Sequence, residues 1–253
     1  PAHTQMLELR NKPDGLIGPR PAEQKGLRIA ILSYRSDPKV GGQGVYVDYL
    51  ASALAETGAS VDVISGPPYP ELSGNVRLMK LPSLDLYAQP HNGHYALRPK
   101  HLLSPTDTYE YFGHLSGKFV EPFTFGQRAF AFLRRSLSQY DIVLDNQTLA
   151  TGVTKIQTQL GIPLATTIHH PITHDLKLAL AAAPDWKHRP PPPRCYSLPR
   201  IPPRQARTPN AHTCPSPLAQ AHILSHFGLA PDLIQPLSTA PHQYPIQPHT
   251  DRK

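Results

Sequence analysis

The chain has 253 residues and a mass of 27.9 kDa, with 39% hydrophobic and only 17% charged residues. That suits one large domain or two small ones around a buried core. Net charge is +7 and the sequence pI about 9.4. The last 70 residues hold eight Lys/Arg against three Asp/Glu, which leaves the first 183 near neutral at +2. A basic excess confined to a tail, with no basic stripe interleaved with aromatics, argues against a nucleic-acid partner. It does not establish docking on a membrane surface. Two cysteines, Cys195 and Cys214, exclude a disulfide-built scaffold, and no Cys-x-x-Cys pair points to a zinc ribbon. No run of 18 apolar residues is present, and residues 1–26 lack the apolar stretch of a secretory signal. These residues read as a loose polar leader, and the chain as cytoplasmic.

Leu27 to Tyr34 is a mostly apolar run of strand length, followed by a loop from Asp37 to Gly44 that is rich in glycine. Val45, Tyr49, Ala53 and Leu54, with Val47, Leu50 and Ala51 beside them, predict a helix that Gly58 stops. Val61 to Ser65 is a second strand, so a βαβ unit with a parallel sheet fits within about 40 residues. Val76 to Leu81 predicts a third strand. Residues 82–122 show no clear periodicity and read as an irregular excursion rich in Tyr and His. Gln127 to Leu137 predicts a helix with Arg128, Arg134 and Arg135 available to solvent. Asp141 to Leu144 reads as a strand ending in Asp145-Asn146-Gln147-Thr148. A helix over Leu149–Leu160 leads to a strand over Ile162–Ile168 that ends in His169-His170-Pro171. Strands and helices alternate over residues 27–183, which predicts an α/β, doubly wound parallel sheet.

The remainder is different. Proline makes up 31 residues, roughly 12% against about 5% in ordinary chains, and sixteen of them lie in 184–253. No helix or central strand is expected over 184–217, because proline removes an amide donor and clashes with the preceding turn. A helix returns at Leu218–Phe227.

Three strand ends carry chemistry. Gly41, Gly42, Gln43 and Gly44 sit between a strand and a helix start, where glycine permits close backbone approach and free amides attract phosphate. The same residues also suit a tight turn with no ligand. A dinucleotide fingerprint fits poorly, since Val47 stands where Gly or Ala is needed. A P-loop at Gly113–Phe119 fails too, one residue short and without its Ser/Thr. His169, His170 and His174 do not make a persuasive metal set, because Pro171 breaks the helix that would align them. Their position past the end of a parallel strand is the place where open α/β sheets bind ligands. Asn146 and Gln147 hold the equivalent place on the preceding strand. No Gly-x-Ser-x-Gly elbow is present.

Together these segments resemble the N-terminal domain of family 4 glycosyltransferases, enzymes of the GT-B architecture with two Rossmann-like domains. The resemblance rests on Leu27–Tyr34, Gly41–Val47, Leu50–Gly58, Val61–Ile64, Tyr140–Gln147 and Thr166–Thr173. It implies that residues 27–183 form the acceptor-side domain and that Gly41–Gly44 face the donor diphosphate. It further implies that His169 is the catalytic-site histidine near the reacting carbon. Asn146, Gln147, His170, Tyr109 and Tyr111 would belong to the acceptor side of the cleft. The implied reaction moves a hexose from a nucleotide-diphosphate sugar to a glycan or lipid acceptor, retaining and metal-independent, with no cofactor beyond that donor. The tail departs from the family pattern: Thr239-Ala240-Pro241-His242 stands where Asn-Gly-Val-Asp is usual. It reads as a Pro-rich degenerate tail, with the donor domain absent. A non-catalytic truncated remnant or binding module that keeps only an acceptor-type cleft is the alternative reading.

Overall fold

The computed structural model describes residues 26–39, 42–86, 98–116, 118–136, 139–169, 211–227 and 230–237. Within them, seven strands form one sheet in the order β3-β2-β1-β4-β5-β6-β7. They are β1 (Arg28–Ser33), β2 (Ser60–Ser65), β3 (Arg77–Lys80), β4 (Ile142–Asn146), β5 (Leu164–Thr167), β6 (Ala211–Cys214) and β7 (Ile234–Pro236). Every neighbouring pair is parallel. The helices are α1 (Gln43–Glu56), α2 (Pro105–Leu115), α3 (Glu121–Arg135), α4 (Thr151–Leu160) and α5 (Pro217–Phe227). The expected α/β, doubly wound parallel sheet is the fold of this chain. No helix among the described residues is long and apolar enough to cross a membrane.

Successive residues of a strand point to opposite faces, so a sheet covered on both sides needs continuous apolar runs. β1 meets that demand: Ile29 and Ile31 join Val61, Val63, Val47 and Ala51 on the α1 side. Ala30 and Leu32 join Phe125, Ala129, Leu133, Val153 and Ile156 on the α3–α4 side. A smaller cluster of Ile168, Cys214, Ile223 and Ile234 holds the far edge.

Four expectations need correction. Helix α1 buries Gly44, Val47 and Ala51, while Val45 and Tyr49 are 44% and 49% exposed. The stripe facing the sheet is displaced from Val45–Tyr49 to Val47–Ala51, where small residues allow closer packing.

Residues 82–122 are not wholly irregular, because α2 occupies Pro105–Leu115. The Ser104 hydroxyl caps it by accepting from the Asp107 amide, and Pro105 opens its first turn. Its polarity is inverted. Asp107 and Glu110 are buried while Tyr109 and Phe112 are exposed, so the apolar periodicity that marks a surface helix is lacking.

Arg128 is not available to solvent. It bridges Asp107 at 2.7 Å and Glu110 at 2.5 Å between α2 and α3, and this pairing is what allows two carboxylates to be buried.

A central strand does form within 184–217. β6 pairs with β5 on one side and β7 on the other. Pro209 and Pro215 flank Ala211–Cys214 without entering it, so all four amides remain as donors. The leader 1–25 and residues 170–210 lie outside the described residues.

Candidate functional site

In a sheet of this order the connections leave β1 and β4 in opposite directions, opening a crevice beyond their carboxyl ends. The first wall of that crevice is the start of α1. Gly42 is its exposed N-cap, with no side-chain capping bond and no acidic residue in the first turn. No acidic side chain within the helix's own first turn therefore offsets its positive end and first amides. Gly44 is required sterically, since a Cβ there would lie 2.6 Å from the Asp37 carbonyl oxygen. Desolvation raises the half-buried Tyr34 phenol above its ordinary pKa, Glu121 adds to the rise, and Gln43 beside it opposes the rise.

The second wall is the end of β4. Asp145 is buried, and burial raises its carboxyl to about 6 against the pull of hydrogen bonds from Thr148 and Leu149. Its two oxygens accept the Thr148 amide at 3.2 Å and the Leu149 amide at 3.4 Å. That turn forces Gln147 to φ 53° and Leu149 to φ 51°, left-handed values that cost a non-glycine residue on the order of 1–3 kcal/mol.

The third element is the end of β5, where the strained turn meets His169. Gln147 Oε1 accepts the His169 amide at 2.6 Å, and Asn146 Oδ1 bonds His169 Nε2 at 2.7 Å. With a carbonyl oxygen as partner, Nε2 carries the hydrogen, which fixes the imidazole tautomer. Tyr46 closes the arrangement from α1, its ring edge-on to His169 with centroids 4.6 Å apart. The Tyr46 hydroxyl lies 3.4 Å from Thr167 Oγ1, and Thr167 lies 3.0 Å from Thr213 Oγ1 on β6. Asn146 is 2% exposed, and its Nδ2 has no hydrogen-bond partner in the structure. A buried amide left in this way carries a desolvation cost unless a ligand or water meets it.

The structure thus brings Asn146, Gln147 and His169 into one bonded unit. Gly42, Gln43 and Gly44 stand one helical turn from Tyr46, whose amide donates to the Gly42 carbonyl at 2.9 Å. Gly41, His170 and His174 lie outside the described residues. Tyr109 and Tyr111 sit on α2, where their ring partners are Phe123 and Phe112. Sequence reasoning missed Tyr46. Its signal was its place one turn beyond the glycine loop, facing the same strand ends.

The family model for Glycosyltransferase Family 4 matches residues 40–239. This chain belongs to glycosyltransferase family 4. A relative from Mycolicibacterium hassiacum, MMP alpha-(1->4)-mannosyltransferase, is 42% identical over 207 residues, covering 81% of this chain and 50% of the relative. The chain spans about half the length of that relative. Among solved structures, Arabidopsis thaliana UGT89C1 is 14% identical, covering 87% of this chain and 52% of its own, with a TM-score of 0.48. A glycosyltransferase from Rickettsia africae is 10% identical, covering 85% and 43%, with a TM-score of 0.44. Both likenesses are too loose to place individual residues of the family 4 crevice.

Proposed function

We propose that this chain is the acceptor-side half of a glycosyltransferase that moves a hexose from a nucleotide-diphosphate sugar to a glycan acceptor. Mannose is the favoured hexose, because the relative at 42% identity bears the name of a mannosyltransferase. The observation that carries the reading is the His169 unit, a ring fixed by Asn146 and Tyr46 beside the uncapped start of α1.

In the reaction an acceptor hydroxyl forms a bond to the anomeric carbon. The bond from that carbon to the diphosphate breaks, and the electron pair leaves with the diphosphate. The acceptor's proton passes to the departing phosphate oxygen. Charge grows on that leaving group, and the first-turn amides at Gly42–Gly44 are placed to receive it. His169, with its orientation set by two hydrogen bonds, lines the reacting carbon. Asn146 Nδ2 offers a further donor to a sugar hydroxyl. Retention of configuration and independence from metal belong to the same proposal, as does completion of the donor site by a second domain.

Transfer is the test. The chain joined to the C-terminal half of the mannosyltransferase relative, given nucleotide-activated mannose and a mannoside acceptor, should form a new glycosidic bond. His169→Ala should lower turnover about 100-fold or more, the scale of losing a group that supports the transition state. A folded fusion that binds the donor and transfers nothing overturns the reading, and leaves the binding-module alternative.

A further inference from the structure

Five carboxyl groups are buried among the described residues. Asp62, Asp107, Glu110 and Glu121 each face an arginine, which offsets the cost of their burial. Asp145 is the exception. It is 1% exposed and pairs with no cation among the described residues. Its two oxygens go instead to the amides of Thr148 and Leu149. Burying a carboxyl without a counter-charge is costly, so its role is to be sought in the amides it holds.

Those amides close a turn around Asn146 and Gln147. In an extended strand two successive side chains point to opposite faces of the sheet. The left-handed backbone at Gln147, φ 53°, and at Leu149, φ 51°, breaks that alternation. Both side chains then reach His169: Asn146 Oδ1 bonds its Nε2 at 2.7 Å, and Gln147 Oε1 accepts its amide at 2.6 Å. Such a backbone persists where neighbouring groups over-determine it. Asp145 supplies that constraint, because an ionised carboxyl accepts on both oxygens at once.

We infer that Asp145 is the positioning residue of this site. It clamps the Asn146–Leu149 turn and so fixes where His169 sits and which ring nitrogen carries the hydrogen. The inference rests on the transferase reading for the use of His169, and on the turn alone for its placement.

NMR of the full chain at about pH 8, where Asp145 is ionised, tests it. In the parent, the Thr148 and Leu149 amides should be protected from exchange, and the His169 ring should show one tautomer, protonated at Nε2. Asp145→Asn keeps the shape of the side chain but a single accepting oxygen. Its His169 ring should become a mixture of tautomers. The His169 amide should exchange about fivefold faster, by the loss of one hydrogen bond. The Tm should not fall, because the change also removes a buried charge. A residue that merely held the fold together would lower Tm and leave one tautomer. Asp107→Asn, at a buried carboxyl away from the turn, should leave the His169 signals unchanged. In the fusion described above, Asp145→Asn should lower kcat about tenfold with the donor KM nearly unchanged. Freely exchanging Thr148 and Leu149 amides in the parent, one tautomer in Asp145→Asn, an equal response to Asp107→Asn, or an unchanged kcat would overturn the clamp. A fusion that transfers nothing, while these signals behave as expected, would count against the transferase reading alone.

Discussion

Gly126 of α3 and Gly152 of α4 meet backbone to backbone. A Cβ on Gly152 would fall 2.3 Å from the Gly126 carbonyl carbon, a distance that no side-chain adjustment can relieve. The two helices cross at this contact, next to Ala150 and the turn that carries Asn146 and Gln147.

Gly152→Ala should therefore force α3 and α4 apart. The expected loss is on the order of 3 kcal/mol, the upper part of the overpacking range, or a fall in Tm of roughly 6–12 °C for a domain of this size. Gly42→Ala meets no atom within 4 Å and should leave Tm almost unchanged. Thermal melts of the two variants side by side check the contrast.

Stability should fall as pH rises across the weakly acidic range. Burial raises Glu121 from 4.5 to about 7 and Asp145 from 3.8 to about 6. Each carboxyl binds its proton more tightly folded than unfolded. Their contribution is complete below the unfolded values and is lost as pH climbs through the folded ones. At about 1.4 kcal/mol per unit, each raised carboxyl costs about 3 kcal/mol once ionised. Glu121→Gln removes its share, so the stability difference between about pH 5 and about pH 8 should shrink by ~2–3 kcal/mol. Urea unfolding at both pH values measures it, and an unchanged difference would refute the assignment.

Arg128→Ala should be among the most damaging single changes. It leaves Asp107 and Glu110 buried without their common partner, a loss of roughly 3–5 kcal/mol. Arg128→Lys keeps the charge but cannot span both carboxylates with a planar fork, and should fall between. Denaturant midpoints order the three proteins.

Gln147→Gly separates strain from bonding. Glycine accepts φ 53° freely, so global stability should stay within about 1 kcal/mol of the parent as relief of strain offsets the lost bond. The His169 amide, deprived of Gln147 Oε1, should exchange with solvent at least about fivefold faster, by the loss of one hydrogen bond. Unchanged exchange would show that His169 is held by other means.

What the sequence made legible follows from how strongly each element advertises itself. β1, β2 and β4 are largely apolar runs bounded by turns, and a parallel sheet buried on both faces demands such runs. Helix α2 was hidden because its inward face is Asp107 and Glu110 and its outward face is Tyr109 and Phe112, the reverse of the usual code. β6 was hidden because proline density averaged over 184–217 masks four proline-free residues. Asn146, Gln147 and His169 could be proposed together from their places at neighbouring strand ends. Their mutual bonds could not, because these depend on the left-handed backbone at Gln147. The Tyr46–His169 contact and the Arg128 bridges to Asp107 and Glu110 join elements distant in sequence, which no local pattern reports.

The late arrival of β6 and β7 in the chain has a bearing on how this molecule assembles. Thr167 and Thr213, joined across β5 and β6, are 46 positions apart. Closing so long a loop adds little to the equilibrium cost, because that cost grows only with the logarithm of length. It does slow the search, since distant pairings form after near ones. The far edge, held among the described residues by Ile168, Cys214, Ile223 and Ile234 with their few neighbours, is expected to be the first part to peel away under force or denaturant. The crevice between β1 and β4 asks still more of the chain, because Arg28 and Asp141 meet across 113 positions, so its geometry is complete only when this longer search has ended.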